Sequence, residues 1–271
     1  MSSQAAFDKL VRFLKRRRER GHPSPKPIFW LGAGCSVYDG APMSFDFMTN
    51  CLGTTGGWGS LQYQFDEMWD SFPDPRTRVS MMDPFVNIPI KSDSPYHTLA
   101  LILKEGYADH VFTFNVDNLL EQALERCVGR DFDVLDLTTT TPDFSVNMLQ
   151  SSMKKRIKVV KLHGDAESGF CKMSSKEITD YVKDYGDRLA DLVKFYSQSS
   201  AVVCGYSFFH LNVLNCFARN GEEMFYVNRS FPDMPMILSL MSSRKSDLNY
   251  IDQPLGLFDQ FMAGLKMELS L

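Results

Sequence analysis

The stretch KPIFWLGAGCS (residues 26–36) decides the fold, because an apolar run of strand length leads directly into a glycine-rich turn. Residues 28–31 are predicted to form a short buried strand, and Gly32-Ala33-Gly34 to form the turn after it. Glycines in such a turn let backbone N–H groups approach an anionic ligand. The full glycine fingerprint G-x-G-x-x-G is incomplete here, so this turn alone is a weak indicator.

The same succession of strand, turn and helix recurs along the chain. Further strands are predicted at 110–114, 132–137, 157–162, 201–204 and 224–227, and helices at 5–20, 94–106, 117–127, 174–197 and 209–219. This alternation predicts an α/β fold, a Rossmann-like parallel sheet with helices on both faces. Residues 43–93, rich in glycine and proline, are predicted to form a small inserted lid or helical module. We expect one domain over 1–271, with its core at about 26–42 and 95–235.

The composition excludes several classes of protein. A formal net charge of −4 disfavours direct nucleic-acid binding, and no apolar run approaches the roughly 20 residues of a membrane span. The first residues lack the order of charged and apolar segments of a secretory signal, so we expect a cytoplasmic protein. The six cysteines form no C-x2-C pair, and no metal site is expected.

Small or polar residues follow the predicted strands. They are GAGCS (32–36), Asn115 and Asp117, His163 and Asp165, Gly205 and Ser207, and Asn228. Each alone has a simple explanation as a turn residue or a helix cap. The carboxyl ends of parallel strands, however, share one edge of the sheet, and ligands bind in the crevice there. Together these residues predict one site at that edge.

The motifs GAGCS (32–36), TFNVD (113–117), LHG (162–164), CGYS (204–207) and VN (227–228) resemble, in order and spacing, those of Sir2 proteins, the sirtuins. The chain is most similar to the SIR2-like subfamily of prokaryotic antiphage NADases, which lacks the zinc-binding cysteines of the protein deacetylases. The resemblance implies that NAD+ is the substrate, that no zinc is bound, and that NAD+ is cleaved to nicotinamide and ADP-ribose. It further implies a role in antiphage defence or NAD-depletion signalling, with a homo-oligomer or a separate regulatory protein as partner.

The resemblance also implies roles for single residues. His163 would act as general base through a ribose hydroxyl, a task that suits a side chain exchanging protons near neutral pH. Asn115 would position the ribose or the attacking water, and Asp117 would hold the nicotinamide carboxamide. The implied cofactor-binding residues are Gly32, Ala33, Gly34, Ser36, Pro42, Asn115, Asp117, Gly205, Ser207 and Asn228. The glycine turn with Ser36 would hold the diphosphate, and the last three residues would line the adenosine half.

Three departures from the family pattern keep other functions open. Residues 41–45 (APMSF) stand where deacetylases have Pro-Asp-Phe-Arg, so the arginine is missing. Phe114 replaces a glutamine of the family motif. The GYS motif is followed by Phe208, Phe209 and His210 in place of an acidic residue. One alternative is an NAD-dependent protein deacylase. Another is a non-catalytic module that senses NAD or ADP-ribose. A dehydrogenase is disfavoured by the incomplete glycine fingerprint.

Overall fold

A parallel sheet forms the centre of the protein in a computed structural model, which describes residues 2–19, 25–72, 74–86, 88–139, 145–208, 211–230, 234–247 and 249–271. Its seven strands are β1 (Ile28–Leu31), β2 (His110–Thr113), β3 (Phe132–Asp136), β4 (Ile157–Lys161), β7 (Ala201–Cys204), β8 (Met224–Val227) and β9 (Tyr250–Ile251). Their order is β3-β4-β2-β1-β7-β8-β9, and every pairing is parallel. A separate antiparallel pair, β5 (Gly164–Asp165) and β6 (Phe170–Cys171), follows β4. The predicted Rossmann-like α/β fold is confirmed.

Helices cover both faces of this sheet. They are α1 (Ser3–Arg18), α2 (Ser44–Leu52), α3 (Trp58–Asp70), α4 (Pro75–Met81), α5 (Asp83–Val86), α6 (Pro95–Lys104), α7 (Leu119–Val128), α8 (Val146–Ser152), α9 (Ser175–Ser197), α10 (Leu211–Cys216), α11 (Pro235–Ser243) and α12 (Phe258–Leu269). Side chains of a strand alternate between faces, so Phe29 and Leu31 join the core with α1, α6, α7 and α12, whereas Ile28 and Trp30 join the core with α9, α10 and α11. Both faces are therefore covered, as the continuous apolar strands require.

Strands β2 to β4 lie on one side of β1 and strands β7 to β9 on the other, so the strand order reverses at β1. The neighbours of β1 are β2 on one side and β7 on the other, so the sheet grows outward from β1 both ways. At their carboxyl ends Leu31 is aligned with Thr113 and with Cys204, and Thr113 is aligned with Lys161. This arrangement leaves a crevice between the loops that follow the central strands, where ligands of open α/β sheets bind.

Residues 44–86 form four helices, α2 to α5, that pack on the core through Phe47, Phe65 and Trp69. The stretches of chain before and after this segment are joined at Asp39. Its buried carboxylate accepts hydrogen bonds from the Lys91 backbone N–H at 3.0 Å and from Ser94 Oγ at 2.7 Å. The helical content agrees with the predicted module. The domain limits, 1–271 with an insertion at about 43–93, stay a prediction.

The segment is also fastened to the start of α9. Glu177 accepts a hydrogen bond from Trp69 Nε1 at 2.8 Å and pairs with Arg78, and the Arg78 guanidinium lies 4.8 Å from the centre of the Trp69 ring. Ser174 caps α9 by accepting from the Glu177 backbone N–H at 3.1 Å. Glu177 thus serves the cap and the insertion together.

Several elements differ from the sequence prediction. The two-residue strand β9 and the β5–β6 pair were not predicted, because two residues give no readable alternation. The predicted helix 209–219 is described over Leu211–Cys216, and Phe209 and His210 lie outside the described residues. Across the described part of the chain, no helix has both the length and the apolar character needed to cross a membrane.

Candidate functional site

Four side chains form a hydrogen-bonded cluster at the carboxyl edge of the sheet. Ser36 Oγ lies 2.7 Å from Asp117 Oδ2 and 2.8 Å from the Tyr96 hydroxyl. Asn115 Nδ2 lies 3.0 Å from Ser36 Oγ and 3.2 Å from the Tyr96 hydroxyl. All four side chains are buried. The structure therefore brings together Ser36, Asn115 and Asp117 from two separate strand ends, and it adds Tyr96 of α6.

Asp117 is held on both of its carboxylate oxygens. Oδ2 accepts from Ser36, and Oδ1 accepts from the Leu119 backbone N–H at 3.2 Å, at the start of α7. Burial raises the pKa of this carboxyl, and the hydrogen bond from Ser36 and the charge of Lys161 oppose that rise. A carboxylate oxygen has two acceptor sites, so each oxygen keeps one for a ligand.

Asn115 carries an acceptor without a partner. Its backbone N–H donates to Thr113 Oγ1 at 3.0 Å, and its Nδ2 bonds within the cluster. Its Oδ1 is fully buried and accepts no hydrogen bond from the described residues. A buried amide oxygen left in this state costs about 1–3 kcal/mol. A hydrogen-bond donor from a ligand or a water would satisfy this oxygen.

Lys161 connects the loops that follow β2 and β4. Its ammonium donates to Asp165 Oδ2 at 2.6 Å and to the Asp117 carbonyl oxygen at 2.9 Å, and it forms an ion pair with Glu121 at 3.0 Å. The side chain is fully buried, and the two carboxylates raise the pKa of the ammonium against the opposing effect of burial. Burial in turn raises the pKa of Glu121. This ion-paired lysine fixes the backbone of both loops.

Neither Tyr96 nor Lys161 was selected from the sequence. Tyr96 lies in an apolar helix, where an aromatic residue usually belongs to the core. Lys161 is one of two lysines in the strand KVVK (158–161), and its spacing does not distinguish it from Lys158, which is only partly buried. The one usable signal was the acidic residue four positions after Lys161, Asp165, which pairs with it.

His163 lies at the same edge, two residues beyond Lys161, just as Asn115 lies two residues beyond the aligned Thr113. The ring is buried and packs edge-on against Phe114, with 5.3 Å between ring centres. It also lines an apolar cavity together with Leu162, Ile178, Leu189, Val193, Val213 and Cys216. His163 and Asn115 thus each follow the end of one of two adjacent strands by two residues.

Phe114, the substitution for glutamine, has an aromatic partner. It stacks on Tyr206 of the GYS motif with ring centres 3.9 Å apart and ring planes at 5°. A Cβ atom on Gly32 would come within 2.6 Å of Tyr206 Cα and Cβ. Glycine at position 32 is therefore required by the close approach of the Tyr206 backbone. The Phe114–Tyr206 stack covers the apolar side of the strand ends, opposite the hydrogen-bonded cluster.

The glycine turn is interlocked with the turn after β7. The Gly34 backbone N–H donates to the Gly205 carbonyl oxygen at 3.0 Å, and Gly205 has a φ of +58°. A Cβ on Gly205 would lie 2.7 Å from the Cys35 nitrogen, and one on Gly34 would lie 2.9 Å from Gly205 Cα. The Gly34 N–H is thus already occupied. The Ala33 N–H donates to no acceptor among the described residues, so it is available to an anionic ligand.

Cys35 lies inside the glycine turn but is inert in this position. The thiol is fully buried and donates to the Cys204 carbonyl oxygen at 3.2 Å. Burial raises the pKa of the thiol well above its ordinary value, so the nucleophilic thiolate is disfavoured. Cys35 is a packing residue of the turn.

The remaining predicted residues surround this centre. Pro42 is half-buried beyond the turn, and Ser207 is exposed. Asn228 donates from Nδ2 to the Tyr226 hydroxyl at 2.8 Å and to the Tyr206 carbonyl oxygen at 3.4 Å, so it supports the turn of the GYS motif. Within the described ranges, no group of three or more His, Cys, Asp or Glu side chains is placed to hold a metal ion.

Comparisons with known proteins agree with this fold. Residues 109–236 match the model of the SIR2-like domain family. The fold is similar to that of a solved Sir2 enzyme (TM-score 0.53, 14% identity, 98% of each chain covered). It is also similar to Sir2 bound to acetylated peptide (0.53, 14%, 97% of this chain and 98% of that one) and to Sir2 with a p53 peptide and NAD+ (0.52, 16%, 97% and 98%). No curated protein matches the sequence significantly.

Proposed function

We propose that the chain is a Sir2-like protein that binds NAD+ at the carboxyl edge of its sheet and hydrolyses it to nicotinamide and ADP-ribose. The observation that supports the proposal most directly is the cluster of Ser36, Asn115 and Asp117, from which the buried Asn115 Oδ1 points away without a partner among the described residues. We assign to His163, two residues beyond the end of the adjacent strand β4, the role of proton acceptor for the ligand.

The proposed reaction is hydrolysis of the bond between C1′ of the ribose and the nicotinamide nitrogen. As this bond breaks, its electron pair returns to the nicotinamide ring and neutralises the ring's positive charge, and an oxocarbenium-like ribose is left. A water oxygen then bonds to C1′. One proton of this water passes by way of a ribose hydroxyl to His163, which later releases it to solvent. Asn115 holds the water or the ribose hydroxyl through Oδ1.

The other predicted residues have binding roles in this proposal. Asp117 accepts from the nicotinamide carboxamide with an acceptor site that Ser36 and Leu119 leave open. The Ala33 N–H donates a hydrogen bond to a diphosphate oxygen, which lies beside Gly32, Gly34 and Ser36. The adenosine half lies along Gly205, Ser207 and Asn228.

The resemblance to zinc-less antiphage proteins extends the proposal. We assign the NAD+ cleavage to antiviral defence or NAD-depletion signalling, in a homo-oligomer or together with a separate regulatory protein. Residues 41–45 lack the arginine of the deacetylases and the six cysteines form no C-x2-C pair, and these two differences favour hydrolysis over deacylation.

Product analysis tests the proposal. The purified protein is incubated with NAD+, with and without an acetylated peptide, and nicotinamide, ADP-ribose and acetylated ADP-ribose are quantified. We expect nicotinamide and ADP-ribose in equal amounts without peptide. The variants His163→Ala and Asn115→Ala should lose turnover by about 10²–10⁴-fold, as expected for loss of a general base or of the group that orients the nucleophile.

A matched control distinguishes loss of chemistry from loss of folding. His110→Ala removes a histidine at the opposite end of β2, where His110 pairs with Asp109 at 2.6 Å. This variant should keep its turnover, and all three variants should keep a cooperative thermal transition. Nicotinamide release that requires the peptide would indicate a deacylase, and tight NAD+ binding without release would indicate a sensor. Full turnover in a folded His163→Ala variant would remove His163 from its role.

A further inference from the structure

Tyr96 is the member of the cluster that no strand-end motif contributes. It lies in the first turn of α6, and its backbone N–H donates to Ser94 Oγ at 3.2 Å. The ring is 1% exposed and packs edge-on against Phe258 of α12, with 5.3 Å between ring centres. These contacts restrict the orientation of the ring, so its hydroxyl is held beside Ser36 and Asn115.

The hydrogens of the cluster can be assigned one by one. With Asp117 ionised, its Oδ2 accepts, so Ser36 must donate its only hydroxyl hydrogen to Asp117. Ser36 Oγ is then an acceptor toward its other neighbours, and Tyr96 must donate its hydrogen to Ser36. The Tyr96 oxygen in turn accepts from Asn115 Nδ2. The chain of donation therefore runs from Asn115 through Tyr96 and Ser36 to Asp117.

This direction decides how the Asn115 amide is turned. Nδ2 lies within hydrogen-bond distance of both Ser36 Oγ and the Tyr96 hydroxyl, which are themselves 2.8 Å apart, so one N–H group points between the two oxygens. The opposite orientation would place Oδ1 about 3 Å from Ser36 Oγ while the serine hydrogen points to Asp117, so two acceptors would face each other. It would also leave the amide nitrogen without these two acceptors. The cluster thus turns Oδ1 away from Ser36 and Tyr96, to the position where it lacks a partner.

We propose that Tyr96 is a positioning residue that fixes the Asn115 amide with its carbonyl oxygen toward the ligand, so that the site selects a hydrogen-bond donor at this point. The donor is a hydroxyl group of a sugar or a water molecule, because Oδ1 can only accept. The proposal rests on the proposed function in one respect: it takes Asn115 to be a ligand-binding residue. It goes beyond that function by naming the group that sets the polarity of Asn115.

Tyr96→Phe tests the proposal, because it removes the hydroxyl and keeps the ring against Phe258. We expect kcat for NAD+ cleavage to fall roughly tenfold, the effect of one lost positioning hydrogen bond, while KM changes less than about twofold. Tyr107→Phe is the matched control: Tyr107 is equally buried, and its hydroxyl accepts from Arg18 Nη1 at 3.1 Å, away from the sheet edge. Its kcat should be unchanged.

A double-variant cycle shows whether Tyr96 acts through Asn115. If it does, Tyr96→Phe should have no further effect on kcat in the Asn115→Ala background, whereas a purely structural role would reduce kcat by the same factor in both backgrounds. An equal reduction would overturn the proposal. An unchanged kcat of the single variant Tyr96→Phe would also overturn it.

A second measurement does not depend on activity. In a ¹⁵N-labelled protein the side-chain amide signal of Asn115 is assigned by its loss in Asn115→Ala, and the exchange of its two hydrogens with water is followed. We expect the hydrogen that points to Ser36 and Tyr96 to exchange slowly in the wild type and faster in Tyr96→Phe. Unchanged exchange in Tyr96→Phe would contradict the proposal even if NAD+ is cleaved. Faster exchange would support it even in a protein that releases no nicotinamide.

Discussion

Replacement of Lys161 by methionine tests whether the buried ion pairs hold the site together. Methionine is unbranched and of similar length, so the change removes the charge and leaves little empty volume. Asp165 and Glu121 then lose their partner, and the Asp117 carbonyl oxygen loses its donor. Both loops that carry the site residues lose the same anchor at once.

The burial of the three side chains sets the size of the effect. Removal of one partner from a buried ion pair costs about 3–5 kcal/mol. The Lys161 side chain is 0% exposed, but Glu121 and Asp165 are 16% and 24% exposed, so water compensates part of the loss. We therefore expect the free energy of unfolding of Lys161→Met to be lower than that of the wild type by about 2–4 kcal/mol at pH 8.

The deficit should depend on pH with a defined sign. Burial already raises the pKa of Glu121, and loss of the neighbouring ammonium raises it further. A carboxyl with a raised pKa in the folded state binds a proton more readily there than in the unfolded chain, so the folded variant is favoured as the pH falls. The deficit should thus be largest above the folded pKa and smaller at pH 5. In the wild type, the raised pKa of Lys161 means that its contribution persists through neutral pH and is lost only in strong alkali.

Urea denaturation at pH 8 and pH 5 measures both effects. Lys158→Met is the matched control, since Lys158 lies on the same strand, is only partly buried, and donates to the exposed Lys155 carbonyl oxygen at 2.9 Å. Addition of Glu121→Gln to Lys161→Met should recover part of the stability at pH 8. A deficit below about 1 kcal/mol, or an equal deficit at both pH values, would refute the reasoning.

Three further predictions follow from other contacts. Gly205→Ala should lower the free energy of unfolding by at least about 2 kcal/mol, because the new Cβ meets backbone atoms at a positive φ; denaturant titration measures it. Arg78→Met should speed amide hydrogen exchange in α3 and in the first turn of α9, because Glu177 loses its ion pair; unchanged exchange would contradict this fastening. The variants Phe114→Leu and Tyr206→Leu should show a coupling of about 0.5–1.5 kcal/mol in a double-mutant cycle, and additive effects would mean that the stack contributes nothing.

The sequence predicted the layout of this fold because its strands are short apolar runs that end in glycine or in polar residues. The same rule predicted that Ser36, Asn115 and Asp117 meet, since strand ends of a parallel sheet share an edge, and their hydrogen bonds show this contact. The functions assigned to these residues stay predictions.

The rest of the site depends on contacts that local sequence does not encode. Tyr96 joins the cluster because the first turn of α6 packs beside the ends of the strands. Lys161 can be buried because Glu121 and Asp165 pair with its charge. The two glycines of the turn were predicted to admit a phosphate, whereas the structure shows that both are also needed for the approach of residues 205–206. Each of these facts is a tertiary contact over long sequence distance.

The interlock between the glycine turn and Gly205 has a consequence for how the site is assembled during synthesis. Ser36 and Asp117 are separated by 81 residues, so the whole hydrogen-bonded cluster is available once the chain has been made to residue 117. The Gly34–Gly205 contact spans about twice that distance, and a doubling of loop length adds only about 0.6 kcal/mol to the entropy of closure. The Ser36–Asp117 and Gly34–Gly205 contacts therefore differ mainly in when their residues are synthesised, and much less in the entropy of closing the loop between them. A nascent chain therefore contains all four residues of the polar cluster well before the turn that packs against the glycine turn, and a chain truncated before residue 201 lacks β7 and leaves the glycine turn without that neighbour.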